Sequence, residues 1–101
     1  MERIAMTDGS GQWFDAEKAD VFDEDSTWNG NNHISMATRS QTEHERLYRT
    51  ASGKWVLHSW SQWQGTTDTY EVVGDKYAAK WLITNGHDSE IVAEEIAELE
   101  L

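Results

Sequence analysis

The segment Glu45-Arg46-Leu47-Tyr48-Arg49-Thr50, Ala51-Ser52-Gly53, Lys54-Trp55-Val56-Leu57-His58-Ser59-Trp60 constrains this chain more than any other. Two runs rich in β-formers flank a three-residue loop ending in glycine, and a glycine there takes the left-handed conformation with no Cβ to clash. Such a hairpin sets its own register: Leu47 faces Leu57, Arg49 faces Trp55, Tyr48 faces Val56 and His44 faces Trp60. Side chains alternate faces along a strand, so both faces of this ribbon carry large groups. A strand with one wet face would alternate more cleanly with polar residues. The hairpin is therefore expected at the centre of a sheet, with material packed on each side.

A chain of 101 residues has room for one core, because a domain of this size buries only roughly 60–68% of its extended surface. Six Trp, three Tyr and two Phe compensate, since each buried aromatic removes about 150–250 Å² from water. There is no Cys, which excludes disulfides, thiolate nucleophiles and Cys-ligated metals. There is also no Pro, so turns rely on Gly, Asn and Asp.

Around the hairpin the pattern predicts the following. Residues 1–11 form a flexible tail, since Thr7-Asp8-Gly9-Ser10-Gly11 is turn-rich, and residues 12–101 form a single domain. Residues 15–24 read as a short helix capped by Asp15, with Ala19 and Phe22 at i,i+3 and a strand as the competing reading. Thr27 to Asn32 is a turn marked by Asn29-Gly30, before an apolar return in Ile34-Ser35-Met36. Ser61 to Gly65 ends the long strand, and Thr69-Tyr70-Glu71-Val72-Val73 is a further one. Asp75 can cap a helix over Lys76–Thr84, with Tyr77, Ala78, Trp81 and Leu82 on its apolar stripe and Asn85-Gly86 as its stop. A last helix from Asp88 or Ser89 to about Leu99 would bury Val92, Ile96 and Leu99. The fold class is α+β: a three- to four-stranded antiparallel sheet with two C-terminal helices packed on it and a short N-terminal helix.

The net charge of −11 is concentrated in Asp15, Glu17, Asp20, Asp23, Glu24 and Asp25, and again in Asp88, Glu90, Glu94, Glu95, Glu98 and Glu100. Such a field repels nucleic acid and anionic membrane and speeds encounter with a basic partner; it also serves solubility. Glu90, Glu94 and Glu98 stack like charges at i,i+4, which costs a few tenths of a kcal/mol per pair unless a positive partner offsets it. With no secretion signal and no apolar run near the ~20 residues that cross a bilayer, a cytoplasmic location is expected.

Signals for chemistry are weak. Asp25 to His33 places oxygen-bearing side chains at positions 1, 3, 5 and 7 with Gly30 at position 6, as a calcium loop does, but Met36 stands where the bidentate Glu belongs. It reads as an Asn-rich structural turn. His44 and His58 share a hairpin face two rows apart, and they read as a solvated or partly packed pair, with a small metal-dependent hydrolase as the enzymatic alternative. No phosphate-binding or nucleophile-elbow motif occurs, and no cofactor, metal site or catalytic set is expected.

Trp60 and Trp63 lie on opposite faces by parity, and either could stay exposed as an interface anchor. The expected function is a non-enzymatic binding or adaptor protein that recognises a basic protein surface or self-associates as a homodimer, with no direct nucleic acid or membrane partner. Its interaction residues would be Asp20, Asp23, Glu24, Asp25, Trp60, Trp63, Glu90, Glu94 and Glu98. The alternative is a nucleic-acid mimic, in which the two acidic segments join in one band and block a DNA- or RNA-binding protein.

Overall fold

The computed structural model describes residues 1–28, 30, 32–63, 65 and 67–87. The elements in chain order are β1 (Arg3–Ala5), β2 (Trp13–Asp15), a 3₁₀ turn (Ala16–Lys18), β3 (Asp20–Asp23), β4 (Ser26–Trp28), β5 (His33–Ser35), β6 (Glu43–Arg49), β7 (Trp55–Ser61), β8 (Thr69–Val73) and α1 (Asp75–Thr84). The four-stranded antiparallel sheet runs β3-β6-β7-β8, with β1-β2 and β4-β5 as separate two-stranded ribbons. Antiparallel sheets and one helix near the C-terminus are thus present among the described residues. The helix expected over 89–99 lies outside them.

The β6–β7 hairpin has the register that its sequence dictates, with Leu47 opposite Leu57, Tyr48 opposite Val56, Arg49 opposite Trp55 and His44 opposite Trp60. Gly53 closes the loop at φ 87°, its N–H donating to the Thr50 carbonyl at 2.9 Å, while Thr50 N–H donates to Lys54 O at 2.8 Å. Both strands are central, and each face of the sheet carries its own cluster. On one face Leu47, Trp55 and Leu57 meet Ala78, Trp81 and Leu82 of α1, with Phe22, Ala37 and Val73 around them. On the other, Tyr48 and Val56 meet Met6 and Phe14, flanked by Ile4, Ala16, Ala19 and Tyr70. Full burial of each large apolar side chain contributes about 1.5–3 kcal/mol.

The second layer corrects the reading of residues 1–11. Arg3–Ala5 pair with Trp13–Asp15, Met6 is 9% exposed, and the segment beyond it is tied to the sheet edge. Thr7 N–H donates to the Tyr70 carbonyl at 2.9 Å, and Tyr70 N–H donates to Thr7 Oγ1 at 2.8 Å. The hairpin demanded a second layer, and the N-terminal ribbon supplies it.

Residues 15–24 are not a helix. Asp15 does cap, its side chain accepting the Glu17 N–H at 3.1 Å, but only one 3₁₀ turn follows before the chain extends into β3. Val21 and Phe22 are stiff at χ1 or bulky and suit a pleated surface, and pairing with β6 places Phe22 in the core beside Trp55. The same register sets Asp20 opposite Arg49 and Asp23 opposite Arg46, pairs of opposite charge worth about 0.2–1 kcal/mol each.

Helix α1 begins at Asp75 with Gly74 at its N-cap, so Asp75 sits in the first turn and makes no capping bond. It still lies at the dipole end that favours an acid. The helix stops as its sequence predicts: Gly86 at φ 77° donates to Ile83 O, and His87 N–H reaches back to Leu82 O at 2.8 Å, the paired bonds of a Schellman ending. Ala79 joins Ala78, Trp81 and Leu82 on the buried stripe, whereas Tyr77, expected there, is 46% exposed at its margin. Among the described residues no helix is long and apolar enough to cross a membrane.

Candidate functional site

The N-terminal ribbon covers only one end of its sheet face. At the other end β6 and β7 present His44, Arg46, His58 and Trp60 on that face, with Tyr70 contributed by β8. The Trp60 ring contacts both imidazoles, stacking on His44 at 5.6 Å and meeting His58 at 4.6 Å. His58 in turn lies flat on Tyr70 at 4.2 Å and 12°. The Arg46 guanidinium sits 5.5 Å from the Trp60 ring centre and donates to Asp23 Oδ1 at 2.6 Å. Tyr48 does most to raise the pKa of Arg46; burial opposes the rise, and Asp23 adds to it. Just past β7, Trp63 is 67% exposed. The result is a row of packed rings running from Tyr70 through His58 and Trp60 to His44.

Each histidine is oriented by its own carboxylate. His44 Nδ1 bonds Glu24 Oε1, and its Nε2 lies 3.2 Å from the Gln62 side-chain amide. His58 Nε2 lies 2.9 Å from Asp68 Oδ2, and its buried Nδ1 has no hydrogen-bond partner among the described residues. With the Trp60 ring against both imidazoles and a separate acid on each, the pair does not converge on a common point. Among the described residues no group of three or more His, Asp and Glu side chains gathers as a metal site would require. Sequence reading placed His44 and His58 on one face, but the Glu24 and Asp68 partners come from a neighbouring strand's end and a connection that carry no local signal.

The acidic residues named from sequence separate in the structure. Asp15 binds the N–H groups of Glu2 and Glu17, and Glu17 pairs with the Met1 amino group at 2.7 Å. Asp23 holds Arg46. Glu24 is half-buried, and besides His44 it accepts from Ser35 Oγ at 2.6 Å and from Glu45 N–H at 2.9 Å. Asp25 accepts the Ser26 N–H at 2.8 Å, and its own N–H donates to Asn85 Oδ1 at 3.0 Å, so it fastens the β4–β5 ribbon to the end of α1. Most of this segment's carboxylates serve local structure, which weakens its use as one face of a phosphate-like band. Glu90, Glu94 and Glu98 lie outside the described residues. Trp60 is half-buried within the row of rings, Trp63 is exposed just past β7, and Trp55 is core at 5% exposure.

A second feature, which sequence reading missed, lies on the opposite face. A cleft of about 390 Å³ opens between α1 and the turn at 35–40, with Glu45 of β6 at its floor. Trp81 Nε1–H donates to Glu45 Oε1 at 3.1 Å. Arg39 and Lys80, both exposed, line it from the turn and the helix, and Tyr77 stands beside them. Arg39 is at φ 61°, the one non-glycine residue with positive φ among the described residues, a conformation costing about 1–2 kcal/mol. Its N–H donates to Ser35 O at 2.9 Å, so a single α-turn ends on arginine where glycine is the usual occupant.

Burial raises the pKa of Glu45 from its ordinary 4.5, the Glu24 and Glu71 carboxylates add to the rise, and the Trp81 hydrogen bond opposes it. A carboxyl with a raised folded-state pKa binds its proton more tightly folded than unfolded. Its contribution to stability is therefore complete below 4.5 and is lost as the pH climbs through the folded-state value. Glu45→Gln keeps an acceptor for Trp81 without a charge, and it should flatten the fall in melting temperature between about pH 4 and pH 7. A profile parallel to the parent's would show that this carboxyl does not feel its burial.

No family model, no curated protein and no solved structure matches the chain.

Proposed function

We propose that this protein is a non-enzymatic binding module that holds a basic protein partner through the open end of the sheet, with Trp63 and Trp60 as its anchors. One observation carries the reading: the ribbon that seals the sheet face over Tyr48 and Val56 stops short of Trp60, and just past the end of β7 the Trp63 indole is 67% exposed. Trp and Arg are enriched among the few residues that dominate binding energy; Arg46 lies 5.5 Å from the Trp60 ring centre, and Trp63 is exposed three residues further along the chain. The charge of −11 gives the partner its sign, since an acidic field speeds encounter with a basic surface and discriminates against nucleic acid. Arg46, neutralised by Asp23 and set against Trp60, does not offset that field.

The test compares the parent protein with Trp63→Ala, each immobilised and loaded with nuclease-treated lysate. The parent should retain a basic protein that elutes between about 0.2 and 0.5 M salt, and Trp63→Ala, with an unchanged melting temperature, should retain at least about tenfold less. Equal retention by the two proteins, or retention of nothing, would refute the assignment. Sedimentation of the pure protein supplies the other arm: a concentration-dependent dimer that Trp63→Ala abolishes would replace the basic partner with a second copy of this chain.

A further inference from the structure

We propose that the cleft between α1 and the turn at 35–40 binds a free α-amino acid, with Glu45 and Tyr77 receiving its ammonium group and Arg39 and Lys80 its carboxylate. The site lies on the sheet face opposite Trp60, so it stands independently of the partner-binding reading.

The two signs of charge share one cleft without cancelling. Among the described residues neither Arg39 nor Lys80 takes part in an ion pair, and Glu45 has only the Trp81 indole N–H as a side-chain partner. The pKa of Glu45 is raised, first by burial, so the two cations do not compensate this carboxylate across the cleft. A molecule that carries an ammonium at one end and a carboxylate at the other satisfies both sides at once. A simple cation meets Arg39 and Lys80 as like charges; a simple anion meets Glu45 in the same way.

Size and walls agree with this class. The volume of about 390 Å³ lies at the lower end of the range for small-molecule sites, which suits an amino acid better than a nucleotide. Met36 and the Trp81 ring provide apolar surface for a side chain. Arg39 supplies the strongest structural argument. Its turn ends in the left-handed region, where glycine would sit without strain, and the chain instead keeps a guanidinium at the cleft's rim. Backbone strain of this kind concentrates at ligand clamps, because a planar fork of donors matches a carboxylate only when its backbone fixes its direction.

The reporter is the Trp81 Nε1–H, which donates to Glu45 Oε1 and is resolved from the backbone amides in a ¹H–¹⁵N correlation spectrum. Titration with L-leucine and L-glutamine should move this resonance saturably in the millimolar range. n-Butylamine and sodium butyrate, each carrying half of the recognised charge, should bind at least about tenfold more weakly. Arg39→Gly should hold or raise the melting temperature, since glycine adopts φ 61° freely, while weakening amino-acid binding at least about tenfold. Glu45→Gln should weaken it similarly. Absence of a saturable shift up to about 20 mM ligand would overturn the proposal. So would butylamine binding as tightly as leucine, or full affinity in a folded Arg39→Gly protein.

Discussion

Trp81→Ala should destabilise the protein by about 3–5 kcal/mol, the largest effect expected of any single substitution here. The indole is 5% exposed and sits in the cluster formed with Leu47, Trp55, Leu57 and Leu82, where truncation leaves a cavity that the short helix cannot collapse to fill. Its loss also strips Glu45 of the one side-chain donor that reaches it among the described residues, and it removes the ring stacked on His87 at 6.1 Å and 4°. Urea unfolding measures the change directly, and a fall in melting temperature of about 15 °C or more should accompany it in a domain of this size. Trp81→Phe keeps most of the buried area and loses the hydrogen bond, so it should fall well short of the alanine variant. A loss below about 1 kcal/mol in Trp81→Ala would remove the side chain from the core and place α1 in the wrong phase.

Deleting residues 1–8 should cost about 3 kcal/mol or more, since truncating a single buried Met alone costs about 2–5 kcal/mol. The deletion removes Met6 and Ile4 from the second cluster, strips β2 of its partner, and breaks the Thr7 bonds that occupy the outer edge of β8. Phe14, which packs on Tyr48 at 5.1 Å and on Tyr70 at 6.3 Å, would lose the strand that holds it in place. Met6→Ala, which spares the backbone pairing, separates the two contributions and should account for most of the loss. A fall in melting temperature of less than about 5 °C on deletion, roughly 1 kcal/mol, would show that the sheet face is stable without its ribbon.

These two regions differ in how plainly the sequence announces them. The β6–β7 register, β8 and the end of α1 all follow from short-range rules. Alternation fixes faces, Gly53 fixes the loop, and Gly86 accepts the left-handed stop. The requirement for two layers was legible too, because Leu47 and Leu57 occupy one face while Tyr48 and Val56 occupy the other. The identity of the second layer was not. Arg3-Ile4-Ala5-Met6 is too short and too mixed to declare a strand, and it becomes one only where Phe14 and the open sheet face stand opposite. Likewise Asp15 to Asp23 carries a local helix signal that the open edge of β6 overrides, since a ladder of backbone bonds and the burial of Phe22 outweigh propensities of a few tenths of a kcal/mol.

The candidate sites divide in the same way. Trp60 and Trp63 could be singled out by residue type and parity; the sheet leaves Trp60 half-buried at its open end, and Trp63 is exposed just beyond β7. Glu24 was counted among surface acids, yet tertiary contacts turn it inward onto His44, Ser35 and the Glu45 amide. Arg39 and Glu45 gave no motif, because the turn at 35–40 and the Trp81 indole that make them neighbours come from distant parts of the chain. What the sequence determined by itself was what local sterics and alternation control: the hairpin, its register and the helix stop. What only the tertiary structure decided was which segment covers each face and which charged side chains meet, because those outcomes depend on surface buried between residues that no local rule relates.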